Sequence, residues 1–158
     1  MILEKLQEKF GSEILETDGD VAVIIKKDRC RETLRFLKED PDFLFEMLMD
    51  LCGVDYLPMG LKPRFEVVYH LYSLTHNHRL RIRVKVSEED MSLSTVTDLW
   101  KTADWFEREA AEMFGFRFEG HPNPKKLLLF EGFEGHPLRK DYPIEQRQKI
   151  PVPEVKPT

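Results

Sequence analysis

Apolar and basic residues alternate without a break between positions 79 and 86. Because successive side chains of a strand point to opposite faces of a sheet, this spacing predicts a strand with one buried face and one cationic face. Four like charges in a row repel one another, so the cationic face is either well solvated or a site for an acidic partner. The apolar positions are Leu80, Ile82, Val84 and Val86, and the basic ones are Arg79, Arg81, Arg83 and Lys85.

Earlier segments predict the other strands of the same sheet. Residues 65–74 are apolar at most positions of both faces, which is typical of a strand inside a sheet, and residues 75–78 turn the chain back. Asp18-Gly19 lies between two short apolar runs and predicts a hairpin. Residues 48–56 favour a strand after a short helical turn near Phe43. In that strand, one face is expected to carry Leu48, Asp50, Cys52 and Val54.

Four segments have the spacing of amphipathic helices. The first covers residues 1–10. The second runs from Asp28, its expected cap, to Asp40, because a residue before proline is driven out of the helical conformation. The third is capped by Ser92 or Ser94, and the fourth covers residues 104–114. Their apolar faces contain Ile2, Leu6 and Phe10; Cys30, Leu34 and Leu37; Val96, Leu99 and Trp100; and Phe106, Ala110 and Met113.

Helices at both ends of a run of antiparallel strands predict an α+β fold, with a mostly antiparallel sheet packed against helices. We expect one domain over residues 1–142. Prolines and few large apolar residues follow, so residues 143–158 are expected to form an extended proline-rich C-terminal tail. Such a tail should be mobile in the isolated chain and dock on a partner.

Composition narrows the class of protein. The chain has 158 residues, which suits one domain with its own core. Its 24 basic and 29 acidic residues give a net charge of −5, which argues against nucleic acid as a partner. No segment approaches the ~20 apolar residues of a membrane span, so we expect membrane contact only through partners. Cys30 and Cys52 are too far apart for a metal clip, and each favours a small buried hydrophobe.

The fourth helix has its own start and stop signals. Asp104 is expected to be the N-cap, and Glu107 three residues later would complete a capping box. Gly115 is the residue type that most readily ends a helix in the left-handed conformation. Arg108 is placed to pair with Glu112 one turn further on.

The pentapeptide Phe-Glu-Gly-His-Pro occurs twice after this helix, at residues 118–122 and 133–137. Glycine before and proline after each histidine predict two defined turns. Two histidines with the nearby Glu119 and Glu134 could bind a metal, but their spacing favours imidazoles that bond backbone groups or meet a partner. An acid–base role for Glu109 with Glu112 is the weaker alternative, and no nucleophile or nucleotide-binding motif accompanies them.

These segments resemble the signature of the C-subunit family of NADH-quinone oxidoreductases, the respiratory complex I. The resemblance extends upstream to residues 51–56 and 64–70, and it departs at Asn123-Pro124, where the family carries an acid and a leucine. The matching residues are Glu107, Arg108 and Glu109; Glu112, Met113, Phe114 and Gly115; Gly120, His121 and Pro122; Leu127, Leu128 and Leu129; and Gly135, His136, Pro137, Leu138, Arg139, Lys140, Asp141 and Tyr142.

The resemblance implies a structural subunit of the hydrophilic arm, with no catalytic, metal or cofactor-binding residue of its own. The whole complex would use NADH, FMN, iron–sulfur clusters and quinone. Its implied partners are the other hydrophilic-arm subunits, chiefly the quinone-site subunit, at the cytoplasmic face of the bacterial plasma membrane. The signature residues are then interface candidates. Two alternatives stay open: the matching subunit of a membrane-bound hydrogenase, and a stand-alone metal-dependent hydrolase using His121, His136 and a glutamate.

Overall fold

A five-stranded sheet lies at the centre of the computed structural model, which describes residues 2–11, 13–17 and 20–150. Its strands are β1 (Glu13–Thr17), β2 (Asp20–Ile25), β3 (Met47–Asp55), β4 (Phe65–Ser73) and β5 (His78–Val86). The order across the sheet is β1-β2-β5-β4-β3. Neighbours are antiparallel except β2 and β5, which pair in parallel. The helices are α1 (Ile2–Phe10), α2 (Cys30–Glu39) and α3 (Ala103–Phe114), and β6 (Ser92–Ser94) pairs in parallel with β7 (Arg117–Glu119).

One hydrophobic core joins the helices to a single face of the sheet, which confirms the α+β prediction. The apolar positions of β5 are buried as the alternation predicts, and β4 lies inside the sheet between β5 and β3. The hairpin of β1 and β2 is also confirmed, although its turn residues lie outside the described part of the chain. Core side chains contributed by the helices include Leu6, Phe10, Leu34, Leu37, Ala110 and Phe114.

The predicted cap of the second helix is wrong. A short 3-10 turn, Lys27–Arg29, precedes α2, and Arg29 occupies the N-cap position without a capping side chain. Asp28 lies inside that turn, so it cannot cap the helix from outside. The predicted end is confirmed: Asp40 adopts an extended conformation (ψ 127°) just before Pro41.

The predicted third helix is also wrong. Residues 92–94 form strand β6, and the residues from Val96 to Thr102 pass through turns to the start of α3. The apolar residues of this segment, Val96, Leu99 and Trp100, are nevertheless buried. The apolar spacing thus indicated correctly which positions are buried, but not a helix. Strand pairing with β7 explains why no helix follows Ser92, because residues 92–94 use their backbone groups in the strand.

An extra residue in β3 changes which of its side chains face outward. Leu48 pairs with Leu71 and the next pair is Asp50 with His70, so Met49 is a β-bulge. Leu48 is therefore buried in the core, whereas Asp50, Cys52 and Val54 lie on the other face. The predicted set of four residues on one face is thus reduced to three.

The first part of the proline-rich segment lies against the domain. Gln148 donates a hydrogen bond to the Glu134 carbonyl (2.7 Å) and accepts one from the Glu134 N–H (2.9 Å). It also donates to the Tyr142 hydroxyl at 2.9 Å. These contacts fasten residues up to 148, whereas residues 151–158 lie outside the described part of the chain. Among the described residues, no helix is long and apolar enough to cross a membrane.

Candidate functional site

Helix α3 is the scaffold on which the signature is assembled. It ends at Gly115, whose φ of 86° is the predicted left-handed conformation. A side chain here would also collide with the signature itself, because a Cβ would lie 2.6 Å from Arg139 Nη2 and 2.7 Å from His136 Nε2. Gly115 thus both ends the helix and lets the final signature segment pass close to it.

The predicted capping box is wrong. Thr102 occupies the N-cap position and Asp104 lies within the first turn, where its Oδ1 is buried without a hydrogen-bond partner. Glu107 instead points into the core, where it accepts hydrogen bonds from the Thr95 hydroxyl (2.6 Å) and the Val96 N–H (2.7 Å). The Glu107 carboxylate therefore accepts hydrogen bonds from the loop before α3 rather than from the N–H groups at the start of α3.

Burial dominates the ionisation of Glu107. Its side chain is fully buried, and this desolvation raises its pKa to about 7 against the opposing effect of the hydrogen bonds from Thr95 and Val96. His121 Nε2 lies 3.8 Å from Glu107 Oε2. The arrangement resembles a poised acid, yet both carboxyl oxygens are occupied by structural donors.

Arg108 and Glu112 hold one loop rather than each other. Arg108 donates to the backbone carbonyls of Lys125 (2.8 Å) and Lys126 (3.0 Å). Glu112, which is buried, accepts from the N–H groups of Leu127 (2.5 Å) and Leu128 (2.9 Å). Arg108 thus binds carbonyl oxygens and Glu112 binds N–H groups of the same segment. The predicted Arg108–Glu112 pair is therefore wrong. We call these two residues the α3 clamp.

The two repeated histidines fasten their turns to opposite ends of α3. His121 donates through Nε2 to the Asp104 carbonyl (3.2 Å) and accepts the Asn123 N–H at Nδ1 (3.0 Å). His136 donates through Nδ1 to the Glu112 carbonyl (2.8 Å). The two carbonyls are eight residues apart, about 12 Å along a helix, so the imidazoles cannot share a metal ion. The glycines before them, Gly120 and Gly135, have φ values of 80° and 85°.

The final signature segment is fastened to both α3 and the sheet. Leu138 N–H bonds the Met113 carbonyl (3.1 Å), and Arg139 Nε bonds the Phe114 carbonyl (2.6 Å). The Lys140 N–H bonds Asp55 Oδ2 (2.8 Å). The first two bonds satisfy carbonyls at the end of α3 that have no partner within the helix.

A buried ion-pair network anchors the same segment. Arg64, with only 4% of its surface exposed, forms two hydrogen bonds to Asp55 at 2.9 and 2.8 Å and an ion pair with Asp141 at 2.9 Å. Burial alone would raise the pKa of Asp55, but the Arg64 bonds, followed by those from Lys140 and Leu57, lower it to about 2. Arg64 likewise lowers the pKa of Asp141. Asp141 is therefore bound within the chain, as Arg139 is through its hydrogen bond to the Phe114 carbonyl.

The remaining signature residues complete a loop layer over α3. Tyr142 stacks on Phe133, with ring centroids 6.2 Å apart, and Pro137 is half-buried. A cavity of about 420 Å³ lies between α3 and the loops, and its lining includes His121, His136 and Phe133. Glu109 and Lys140 are exposed. Pro122 is exposed at the tip of the first turn.

The cationic face of β5 is partly neutralised. Arg83 binds the buried Glu66 of β4 (2.8 and 3.0 Å) and the Tyr56 hydroxyl (2.8 Å). At least one of the four basic side chains is therefore paired within the chain. This weakens the prediction that an acidic partner binds the cationic face of β5.

The two cysteines differ. Cys30 is the buried hydrophobe that the sequence predicts, and burial raises the pKa of its thiol to about 12. Cys52 is half-exposed on the outer face of β3, so its prediction is wrong. It lies beside Asp50 and His70, a grouping that no sequence motif indicated, because the bulge that creates it has no sequence signal.

Comparison with known proteins agrees with the signature. The model of the family described as respiratory-chain NADH dehydrogenase, 30 Kd subunit, matches residues 23–148. The C subunit of the NADH-quinone oxidoreductase of Ralstonia pickettii is 44% identical over 147 residues, which cover 90% of this chain and 74% of the relative. The corresponding protein of Citrifermentans bemidjiense is 43% identical over 150 residues, covering 93% and 91%.

Solved structures give the same answer for the fold. A trypsin-resistant fragment of Nqo5 superposes with a TM-score of 0.71 at 38% identity, covering 77% of this chain and 96% of that one. A chain of the membrane-bound sulfane sulfur reductase, an archaeal respiratory membrane complex, superposes with a TM-score of 0.75 at 20% identity, covering 99% and 97%. The second likeness concerns the fold alone. The chain belongs to the family of the 30 Kd subunit of respiratory-chain NADH dehydrogenase, as its signature predicted.

Proposed function

We propose that the chain is a non-catalytic structural and assembly subunit in the peripheral arm of a proton-translocating NADH-quinone oxidoreductase, complex I. In this proposal it packs beside the subunit that forms the quinone site and binds none of the cofactors that carry electrons. It reaches the cytoplasmic face of the bacterial plasma membrane only through the complex. The support is family membership together with the use that the chain makes of its signature residues.

The observation that carries the proposal is that the charged signature side chains bind the chain's own loops. Arg108, Glu112 and Asp141 each hold backbone or side-chain groups of this chain, as described above. Such bonds fix loop positions before any partner arrives, which lowers the ordering cost of association. A set of preorganised loops is what an assembly surface needs, whereas a reaction centre would need titratable groups that are not already occupied.

Three large apolar side chains of α3 and the loops that follow it are exposed. Trp105, Leu128 and Leu138 are exposed to 60%, 61% and 50%. Large apolar side chains at the centre of an interface contribute most of its binding energy. We call these three residues the docking surface. The exposed Lys140 lies next to it in sequence and offers a charge at its rim.

A pull-down from native membranes tests the proposal. The tagged chain should capture the quinone-site and iron–sulfur subunits of complex I in fixed ratio, identified by mass. Leu138→Ser should reduce that capture without lowering the melting temperature of the isolated chain. Leu74→Ser is the matched control, because Leu74 is also exposed (60%) but lies just beyond the C-terminal end of β4. A tagged chain recovered alone would refute the proposal.

The second candidate is the matching subunit of a membrane-bound hydrogenase or a related respiratory complex. The fold it shares with a chain of the sulfane sulfur reductase complex favours it, but identities of 43–45% to C subunits of NADH-quinone oxidoreductases favour complex I. The same pull-down separates them, since hydrogenase subunits would replace the NADH-oxidising ones.

A further inference from the structure

Three potential metal ligands converge on the outer face of the sheet, away from the signature. Asp50 and Cys52 of β3 and His70 of β4 each offer one ligand atom, and these atoms lie within 4.8 Å of one another. Within residues 2–11, 13–17 and 20–150, no other three His, Cys, Asp or Glu side chains meet in this way. All three are partly exposed, so an ion from solution can reach them.

The β-bulge at Met49 is what brings the three together. If Met49 paired regularly with His70 instead of bulging, Asp50 would lie opposite Tyr69, whose side chain is fully buried in the core. With the bulge, Asp50 lies opposite His70, and Cys52 follows on the same face. Bulges are over-represented beside functional sites because they redirect a side chain.

The ligand set selects the metal. Thiolate sulfur, imidazole nitrogen and carboxylate oxygen are the three ligand types of protein zinc sites, with bonds of about 2.0–2.3 Å. Mg²⁺ and Ca²⁺ require about six or more oxygen ligands and would not accept a thiolate in their place. Ligand atoms around a tetrahedral zinc ion lie about 3.3–3.8 Å apart. Side-chain rotations that move the three ligand atoms by about 1 Å would therefore bring them within bonding distance of one ion.

Space and charge around the three residues also bear on binding. A cavity of about 400 Å³ borders Asp50 and His70, and it leaves room for a water molecule on the ion. Arg81 of β5 lies opposite His70, and it also lines the cavity. Asp50 and an ionised Cys52 balance the ion's double charge, whereas the Arg81 guanidinium opposes it. The site should therefore be weaker than a four-ligand structural zinc site.

We propose that Asp50, Cys52 and His70 form a Zn²⁺ site, with solvent as the fourth ligand. The site uses none of the residues of the proposed docking surface, because Asp50, Cys52 and His70 lie outside α3 and the loops that follow it. It also differs from the metal-dependent hydrolase alternative, which used His121, His136 and a glutamate.

The test uses the full chain, stripped of metal and titrated with Zn²⁺ against a chromophoric chelator. One ion should bind per chain, and Cys52→Ser, His70→Asn and Asp50→Asn should each weaken binding. The loss should be at least about 100-fold, the upper end for residues that only support a ligand. Cys30→Ser and His76→Asn are the controls and should bind as the parent does. Arg81→Gln should bind more tightly, because it removes an opposing charge.

Three results would overturn the proposal. They are no stoichiometric binding by the parent, equal binding by Cys52→Ser and the parent, or weaker binding by Arg81→Gln. A second measurement needs no variant: Co²⁺ added to the metal-free parent should produce a thiolate-to-cobalt charge-transfer band. Its absence would exclude Cys52 as a ligand even if every variant failed to fold.

Discussion

Glu112→Gln should detach the loop at residues 125–129 from α3 and destabilise the fold. The carboxylate is 7% exposed and accepts the N–H groups of Leu127 and Leu128 at different oxygens. A glutamine keeps one acceptor oxygen but turns an NH₂ group towards the other donor. A hydrogen bond to a charged group contributes about 1.5–3 kcal/mol, and a buried unsatisfied donor costs about 1–3 kcal/mol. We therefore expect a loss of about 2–4 kcal/mol in the free energy of unfolding.

Urea unfolding at neutral pH measures this loss directly. For a chain of this size, 1 kcal/mol corresponds to about 2–4 °C, so the melting temperature should fall by about 5–15 °C. Trypsin gives a local readout, because Lys125 and Lys126 precede the two clamped N–H groups and should be cut faster in the variant. Glu109→Gln is the matched control: it makes the same change at an exposed position one turn earlier and should stay within about 0.5 kcal/mol of the parent. Equal stabilities and cleavage rates for the two variants would refute the α3 clamp.

Three further predictions concern pH, backbone conformation and the tail. Burial raises the pKa of Glu107 from 4.5 to about 7, so the folded chain holds a proton that the unfolded chain releases. Stability should therefore fall as the pH rises between these values, and Glu107→Gln should remove that slope in urea titrations; an unchanged slope would contradict it. Gly115→Ala should cost several times more than Gly132→Ala in thermal melts, because both glycines have positive φ but only Gly115 would collide with Arg139 and His136. Equal costs would show that Arg139 and His136 move aside. Deletion of residues 151–158 should leave the melting temperature unchanged and weaken incorporation into the complex, and normal incorporation would contradict a docking role for the tail.

The periodic parts of the fold were predictable from the sequence. In β5 each apolar position is buried, because a strand has only two faces and one of them meets the core. The end of α3 was equally clear, since few residues other than glycine adopt its left-handed conformation. The parallel pairing of β2 with β5 was not predictable, because it depends on where a distant strand returns rather than on local spacing.

The signature indicated the family, but local spacing did not predict the contacts of its residues. Local rules paired Asp104 with Glu107 and Arg108 with Glu112, because these spacings stabilise isolated helices. In the folded chain, buried backbone donors and acceptors compete for the same side chains, and leaving them unpaired costs more than a local pair contributes. Glu107 and Glu112 therefore bind segments that are distant in sequence.

Photo-cross-linking in native membranes tests the central claim most directly. A photoreactive residue at position 138, on the docking surface, should cross-link to the quinone-site subunit in assembled complex I. The same residue at position 74, similarly exposed just beyond β4, should give no such product. Cross-linking from position 74 but not from position 138, or from neither in an intact complex, would contradict an assembly role for the docking surface.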